Sequence, residues 1–223
     1  MTGIDLSGEE RGRIPTPLWK KEHWSDVPTE GVWRGGDLTN MVIGQGDVLV
    51  TPLQVAVAYG AIATGSIMKP HLLKEVRNGT EDAAAVRYAA EAVDTPEVDA
   101  GHLKIMREAL GGVAAGSTSL QAAFAAQGLD VADVACKTGT GEVAGKEDYA
   151  WFVCYMPADD PKYVVSVMIE QGGGGAATAG PIGAKVMAAA LAADAGELTE
   201  VGAVAASSGE SVEYTGESSG RTD

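Results

Sequence analysis

Two apolar runs, Tyr149–Met156 and Tyr163–Glu170, constrain the fold of this chain more than any other feature. Both are short, rich in β-branched and aromatic residues, and separated by Asp159-Asp160-Pro161-Lys162, a strong turn signal. They read as adjacent antiparallel strands, and the run ahead of them, about 132–140, reads as a third. A strand that is nearly continuously apolar has no face to offer water. Both faces of the sheet therefore need helices, which makes the expected class α+β.

The helices are announced by their caps. Thr51 with Pro52 and Gln54 is a capping-box pattern, predicting a helix to about Ala63 that buries Leu53, Val57 and Ile62. Thr95-Pro96 predicts a second, with Leu103, Met106 and Leu110 on one face. Ser117 or Thr118 caps a third, with Leu120 and Phe124 inward, and Pro181 opens a last one through Leu191. Residues 1–36 read as irregular, with Trp19, Trp24 and Trp33 as anchors onto the body, and 66–80 as a short extended segment ending near Asn78-Gly79. Residues 197–223 are poor in large apolar groups and rich in Ser, Glu and Gly, so a disordered tail is expected after a domain over 1–196. Only two Phe against 30 Gly point to close packing around small residues.

The first strand ends in Lys137-Thr138-Gly139-Thr140. Alternation sends Lys137 and Gly139 to one face and Thr138 and Thr140 to the other. Lys supplies a compact cation for a carboxylate, and the Thr hydroxyls supply hydrogen bonds to it. Gly lets a substrate backbone approach, and the amide that follows it can face a developing oxyanion. By itself a KTG tripeptide is common in a Gly-rich chain. On a strand leading a hairpin, it is one of three motifs of penicillin-binding proteins and serine β-lactamases, beside S-x-x-K and S-x-N.

The neighbourhood narrows this. Thr2-Gly3-Ile4-Asp5-Leu6-Ser7-Gly8-Glu9, then Gly36-Asp37-Leu38-Thr39-Asn40-Met41-Val42-Ile43-Gly44-Gln45-Gly46, then Val50-Thr51-Pro52-Leu53-Gln54 precede KTGT and Ala150-Trp151-Phe152-Val153 in order. Over roughly Thr2 to Leu191, the chain resembles the second half of the transpeptidase domain of class B penicillin-binding proteins, especially the elongation-type penicillin-binding protein 2 group. Ser7 stands where the family usually has Pro, a loop difference. The resemblance implies part of the penicillin-binding protein and serine β-lactamase fold, with the three C-terminal strands of its antiparallel sheet present. It implies that Lys137 and Thr138 hold the active-site end of the strand. Thr138 and Thr140 would then contact the carboxylate of a D-Ala-D-Ala stem peptide or a β-lactam, with Gly139 between them. The Thr140 N–H would form half of the oxyanion hole. The family's nucleophile, a helix-borne Ser with Lys one turn later, lies ahead of the segment matching Thr2-Gly3-Ile4-Asp5.

No S-x-N occurs in this sequence, and its single S-x-x-K is Ser66-Ile67-Met68-Lys69. That motif needs a helical turn to bring Ser and Lys together. Gly65 before it and Pro70 after it favour a helix exit into extended chain. With 11 Ser and 9 Lys, a chance match is unsurprising. The expectation is a chain without a nucleophile, inactive alone and completed by an N-terminal half. A non-catalytic penicillin-recognition module or degenerate remnant is the alternative. A β-lactamase piece is disfavoured, because the Gly-Gln-Gly and Thr-Pro-Leu-Gln block resembles the synthases.

A net charge of −15 argues against nucleic acid and against an anionic membrane surface. No run of 18 apolar residues occurs and the N-terminus lacks signal-peptide character, so no membrane span is expected here. The resemblance places the intact family protein in the cell envelope, on the outer face of the cytoplasmic membrane. No cofactor is expected. His23, His71 and His102 are too isolated for a metal site. Gly172-Gly173-Gly174-Gly175 lacks the G-x-x-x-x-G-K-[ST] context of a phosphate loop and reads as a connection. Asn78-Gly79-Thr80 matches a glycosylation sequon and reads as a turn. Cys136 and Cys154 lie on adjacent strands and are expected to be buried thiols rather than a disulfide.

Overall fold

The computed structural model describes residues 1–77 and 84–196. At its centre is an antiparallel sheet in the order β5 (Ala135–Gly141), β6 (Tyr149–Met156), β7 (Tyr163–Ile169). The register is regular across all three strands, with Cys136 opposite Cys154 and Cys154 opposite Val165. Two rows of side chains follow from it. Cys136, Phe152, Cys154, Val165 and Val167 face α5 (Thr118–Ala125) and α6 (Gly180–Asp194), where Leu120, Phe124, Ala184 and Met187 complete the main core. Ala135, Tyr155 and Val164 face the other way, onto Tyr59, Ile62 and Ala63 of α3 (Pro52–Thr64) and Leu110 of α4 (Ala100–Ala115). Helices thus cover both faces, as continuous apolar strands require. The α+β class stands.

Most boundaries follow the caps. Thr51 accepts from the Gln54 N–H while Gln54 accepts from the Thr51 N–H, and Gly65 closes α3 in the left-handed region. Ser117 caps α5, with Leu120 and Phe124 fully buried. The helix expected from Thr95-Pro96 starts later. Asp99 is the cap, accepting from the Gly101 and His102 N–H groups, and Asp94 to Val98 remain outside the helix. Of its predicted inner face, Leu110 is buried and Met106 is exposed. The strand expected from 132 begins at Ala135, because Val131–Asp133 forms a 3₁₀ turn capped by Asp130. Within α3, Leu53, Val57 and Ile62 are half-buried and Ala63 alone is buried. Val57 and Ile62 line an apolar cavity of about 520 Å³ shared with Val98 and Leu103.

The first 36 residues are less irregular than their composition suggests. Thr16 caps α1 (Pro17–His23), and α2 (Gly35–Val42) begins within the same stretch. Lys20, almost fully buried, pairs with Asp37 at 2.6 Å and so ties α1 to α2. That ammonium, with the Arg34 N–H, holds the Asp37 carboxyl below its ordinary pKa. Trp19 stacks on His23 at 4.8 Å and lies under the Arg13 guanidinium at 4.5 Å. Trp24 meets His23 edge-on at 5.2 Å and is exposed, so these two tryptophans pack on His23 within the segment. Two small two-stranded sheets lie between α3 and α4. They pair β1 (Ile67–Met68) with β4 (Ala92–Asp94), and β2 (Glu75–Arg77) with β3 (Ala84–Arg87). Strands this short carry little periodicity. Asn78-Gly79-Thr80 and the expected tail, 197–223, lie outside the described residues.

A π-helical turn, Gly175–Ala179, runs directly into α6, and together they form an apolar helical stretch long enough to cross a membrane. Counting unbroken apolar residues misses it because glycines, Thr178 and Lys185 interrupt the run. Its Gly180, Gly183, Ala184 and Met187 are buried within the domain, against the sheet and α5.

Candidate active site

β5 is an edge strand, and its outer end borders a cavity of about 490 Å³. Lys137, Thr138, Gly139 and Thr140 all line it, together with Val55 and Tyr59 of α3 and the loop from Ile43 to Val50. The four motif residues predicted from sequence are thus brought to one opening. Lys137 and Thr140 are exposed there; Thr138 and Gly139 are half-buried. The alternation is as expected: Lys137 and Gly139 share a row with Val153 and Trp151, and Thr138 and Thr140 share one with Phe152 and Ala150.

Lys137 Nζ donates to the Thr138 carbonyl at 2.6 Å, folding the ammonium back along the strand edge. Gly139 has a packing reason to be glycine, since a Cβ there would lie 3.1 Å from the Cβ of Trp151. On the opposite side, the backbone of Gly175 lies against Gly139 and Trp151. The motif glycine is held from both faces, which fixes the strand before any ligand arrives. Burial raises the Tyr59 hydroxyl above its ordinary pKa, so the cavity wall at α3 is a neutral phenol at physiological pH.

Two glutamines that carry motif resemblance turn out to be backbone clamps. Gln54, besides capping α3, donates to the Glu10 and Arg11 carbonyls at 3.2 and 2.9 Å. Gln45 donates to the Thr140 carbonyl at 2.9 Å and accepts from the Glu142 N–H at 3.3 Å. Gln54 could be read as a helix cap from sequence. Nothing local in the sequence announced that Gln45 reaches a strand 95 residues away. Ser66 and Lys69 do not share a helical turn: Gly65 has closed α3, and Ile67–Met68 between them are β1. Among the described residues, no group of three or more His, Cys, Asp or Glu side chains could hold a metal.

Cys136 and Cys154 face each other in register as free, buried thiols. Burial pushes Cys136 from an ordinary 9.0 up to about 11, and pushes Cys154 up as well, with the neighbouring Cys136 adding to it. At pH 8, roughly one Cys136 in a thousand is then thiolate, the reactive form. A thiol reagent should titrate neither cysteine in the folded chain and two after denaturation without reductant. Zero thiols, with a mass lower by two hydrogens, would mean a disulfide. Raised folded-state values also carry a sign. Their contribution to stability is complete below about pH 9 and is lost as pH rises toward about 11, where the unfolded chain ionises first.

The chain as a whole is similar to known proteins. The penicillin binding protein transpeptidase domain family matches residues 1–188. Peptidoglycan D,D-transpeptidase MrdA of Haemophilus influenzae is 34% identical over 202 residues, covering 83% of this chain and 30% of that protein. Peptidoglycan D,D-transpeptidase PbpA of Mycolicibacterium smegmatis is 35% identical over 162 residues, covering 67% of this chain and 31% of that protein. The solved structure of penicillin-binding protein 2 from Helicobacter pylori superposes with a TM-score of 0.66 at 28% identity, covering 88% of this chain and 33% of that one. The chain thus spans about a third of the length of its relatives. It belongs to the penicillin-binding protein transpeptidase family, within the class B group typified by penicillin-binding protein 2 and MrdA.

Proposed function

We propose that this chain is the C-terminal part of a peptidoglycan D,D-transpeptidase, the part that receives the substrate carboxylate and half of the oxyanion. The observation that carries this reading is the KTGT edge of β5, open to a cavity of about 490 Å³ with Lys137 at its mouth. Lys137, with the Thr138 and Thr140 hydroxyls, attracts the terminal carboxylate of a D-Ala-D-Ala stem peptide or the equivalent carboxylate of a β-lactam. The Thr140 N–H donates to the acyl oxygen as it becomes negative. The nucleophilic Ser, its Lys partner and the S-x-N triplet come from a segment ahead of the one matched here. Such a protein works in the cell envelope, outside the cytoplasmic membrane.

The test is covalent labelling by a fluorescent penicillin. The chain alone should give no adduct. Supplied in trans with an upstream transpeptidase half bearing S-x-x-K and S-x-N, it should label, and Lys137→Ala should lower the labelling rate by about 100-fold, the scale of losing a positioned electrostatic contact. An adduct on the isolated chain that maps to Ser66 would overturn the assignment of the nucleophile. The second reading is a recognition module without acyl transfer. Reversible β-lactam binding with no adduct in the assembled pair would select it.

A further inference from the structure

We propose that Gln45 is a positioning residue that sets the Thr140 amide for chemistry by gripping the outer edge of β5. The inference rests on the transpeptidase reading for what the amide does, and on geometry alone for what Gln45 does. In an antiparallel strand, the N–H and C=O of one residue point to the same side, and successive residues alternate. Gln45 reaches the Thr140 carbonyl from outside the sheet, so the Thr140 N–H also faces outward. The next outward donor, the Glu142 N–H, is taken by the Gln45 Oε1. One side-chain amide thus mimics a short piece of neighbouring strand. It closes the edge beyond Thr140 and fixes the rotation of the Thr140–Gly141 peptide plane, whose carbonyl it holds. The Thr140 N–H, in the preceding Gly139–Thr140 peptide, is set through the Thr140 backbone angles and is left as the donor at the cavity.

The clamp is itself braced. Gly44 and Gly46 flank Gln45 with φ of 75° and 69°, backbone angles that disfavour other residues. The Gln45 N–H donates to the Asn40 carbonyl at 2.8 Å, and the Gly44 N–H to Met41 at 3.0 Å, which ties the loop to the end of α2. A glutamine on such a loop has the length, one donor and one acceptor in a planar fork. Glutamate keeps the length and loses the donor; alanine loses both.

The chain itself gives the first readout. By NMR, the Glu142 amide should exchange about tenfold more slowly with solvent than in Gln45→Ala, as expected for a solvent-accessible site losing one net hydrogen bond. The second readout is penicillin labelling of the chain assembled with an upstream half. Gln45→Ala should label about 10- to 100-fold more slowly, the scale of a small misplacement of a catalytic group. Gln45→Glu should match it near neutral pH and recover toward the unsubstituted rate as pH falls to about 4.5, where the carboxyl regains a proton to donate. A merely structural role would not produce that profile. Labelling of Gln45→Ala within twofold of the unsubstituted pair, or a flat pH ratio for Gln45→Glu, overturns the proposal. If the unsubstituted pair does not label, the transpeptidase reading fails, and unchanged Glu142 exchange would then remove the clamp as well.

Discussion

Gly175→Ala should lower the stability of the chain by about 3 kcal/mol, at the upper end of what overpacking a well-filled interior costs. A methyl built on Gly175 would lie 2.7 Å from the Gly139 carbonyl oxygen and 3.1 Å from its nitrogen, and closer still to the Trp151 carbonyl. All three are backbone atoms of β5 and β6, so no side-chain rotation can relieve the clash. Gly183 makes a useful contrast. A methyl there would meet the Phe152 ring, a side chain and not backbone, so Gly183→Ala should cost less. For a chain of this size, about 3 kcal/mol corresponds to a melting point lower by roughly 6–12 °C. The same displacement bears on Gly139 within the KTGT motif, so labelling of the assembled pair should fall with it. A Gly175→Ala chain that melts within about 2 °C of the unsubstituted one would show that the turn does not press on the strand.

That result would correct a reading of sequence as much as of structure. A run of four glycines, 172–175, looks like slack between a strand and a helix. At least one of them is there because two strands pass directly beneath it. Sequence reasoning sees a residue's own conformational freedom and not the backbone of a distant element lying against it. The same limit hid Gln45, whose partners are on a strand far along the chain. What was legible had a local cause. The capping box at Thr51 and Gln54, the Ser117 cap and the near-continuous apolar runs of β6 and β7 each act over a few residues, and each stands in the structure. The errors arose where two local signals competed. Thr95-Pro96 offered a helix start, and Asp99, with an acceptor for two free N–H groups, supplied the better one. In the first 36 residues, abundant Gly and Pro concealed α1, which the buried Lys20 ties to Asp37 of α2 through a pair that no periodicity announces.

The largest expected effect in solution is self-association. β7 has β6 on one side and no strand on the other among the described residues, while α3 and α6 cover its two faces. Its open edge is therefore a row of backbone groups framed by apolar surface. Tyr163–Ile169 contains no charge and no proline, the devices that usually keep an edge from pairing with another chain. Lys162 stands just outside, engaged with Asp194 at 3.5 Å. The resemblance to penicillin-binding proteins implies further strands of the sheet beside this one, so the edge is expected to take either an upstream segment or a second copy. A net charge of −15 works against two copies meeting, and that repulsion is screened by salt. The isolated chain should thus be a concentration-dependent dimer or larger species at about 10 µM, with association strengthening as ionic strength rises from about 0.05 to 0.5 M. An electrostatic contact would weaken over the same range. Adding the upstream half should abolish the effect by occupying the edge, and should raise penicillin labelling in the same titration. Sedimentation velocity decides it: a compact monomer at both salt concentrations, melting cooperatively, would mean that β7 is already closed and that the family's strand order does not carry over.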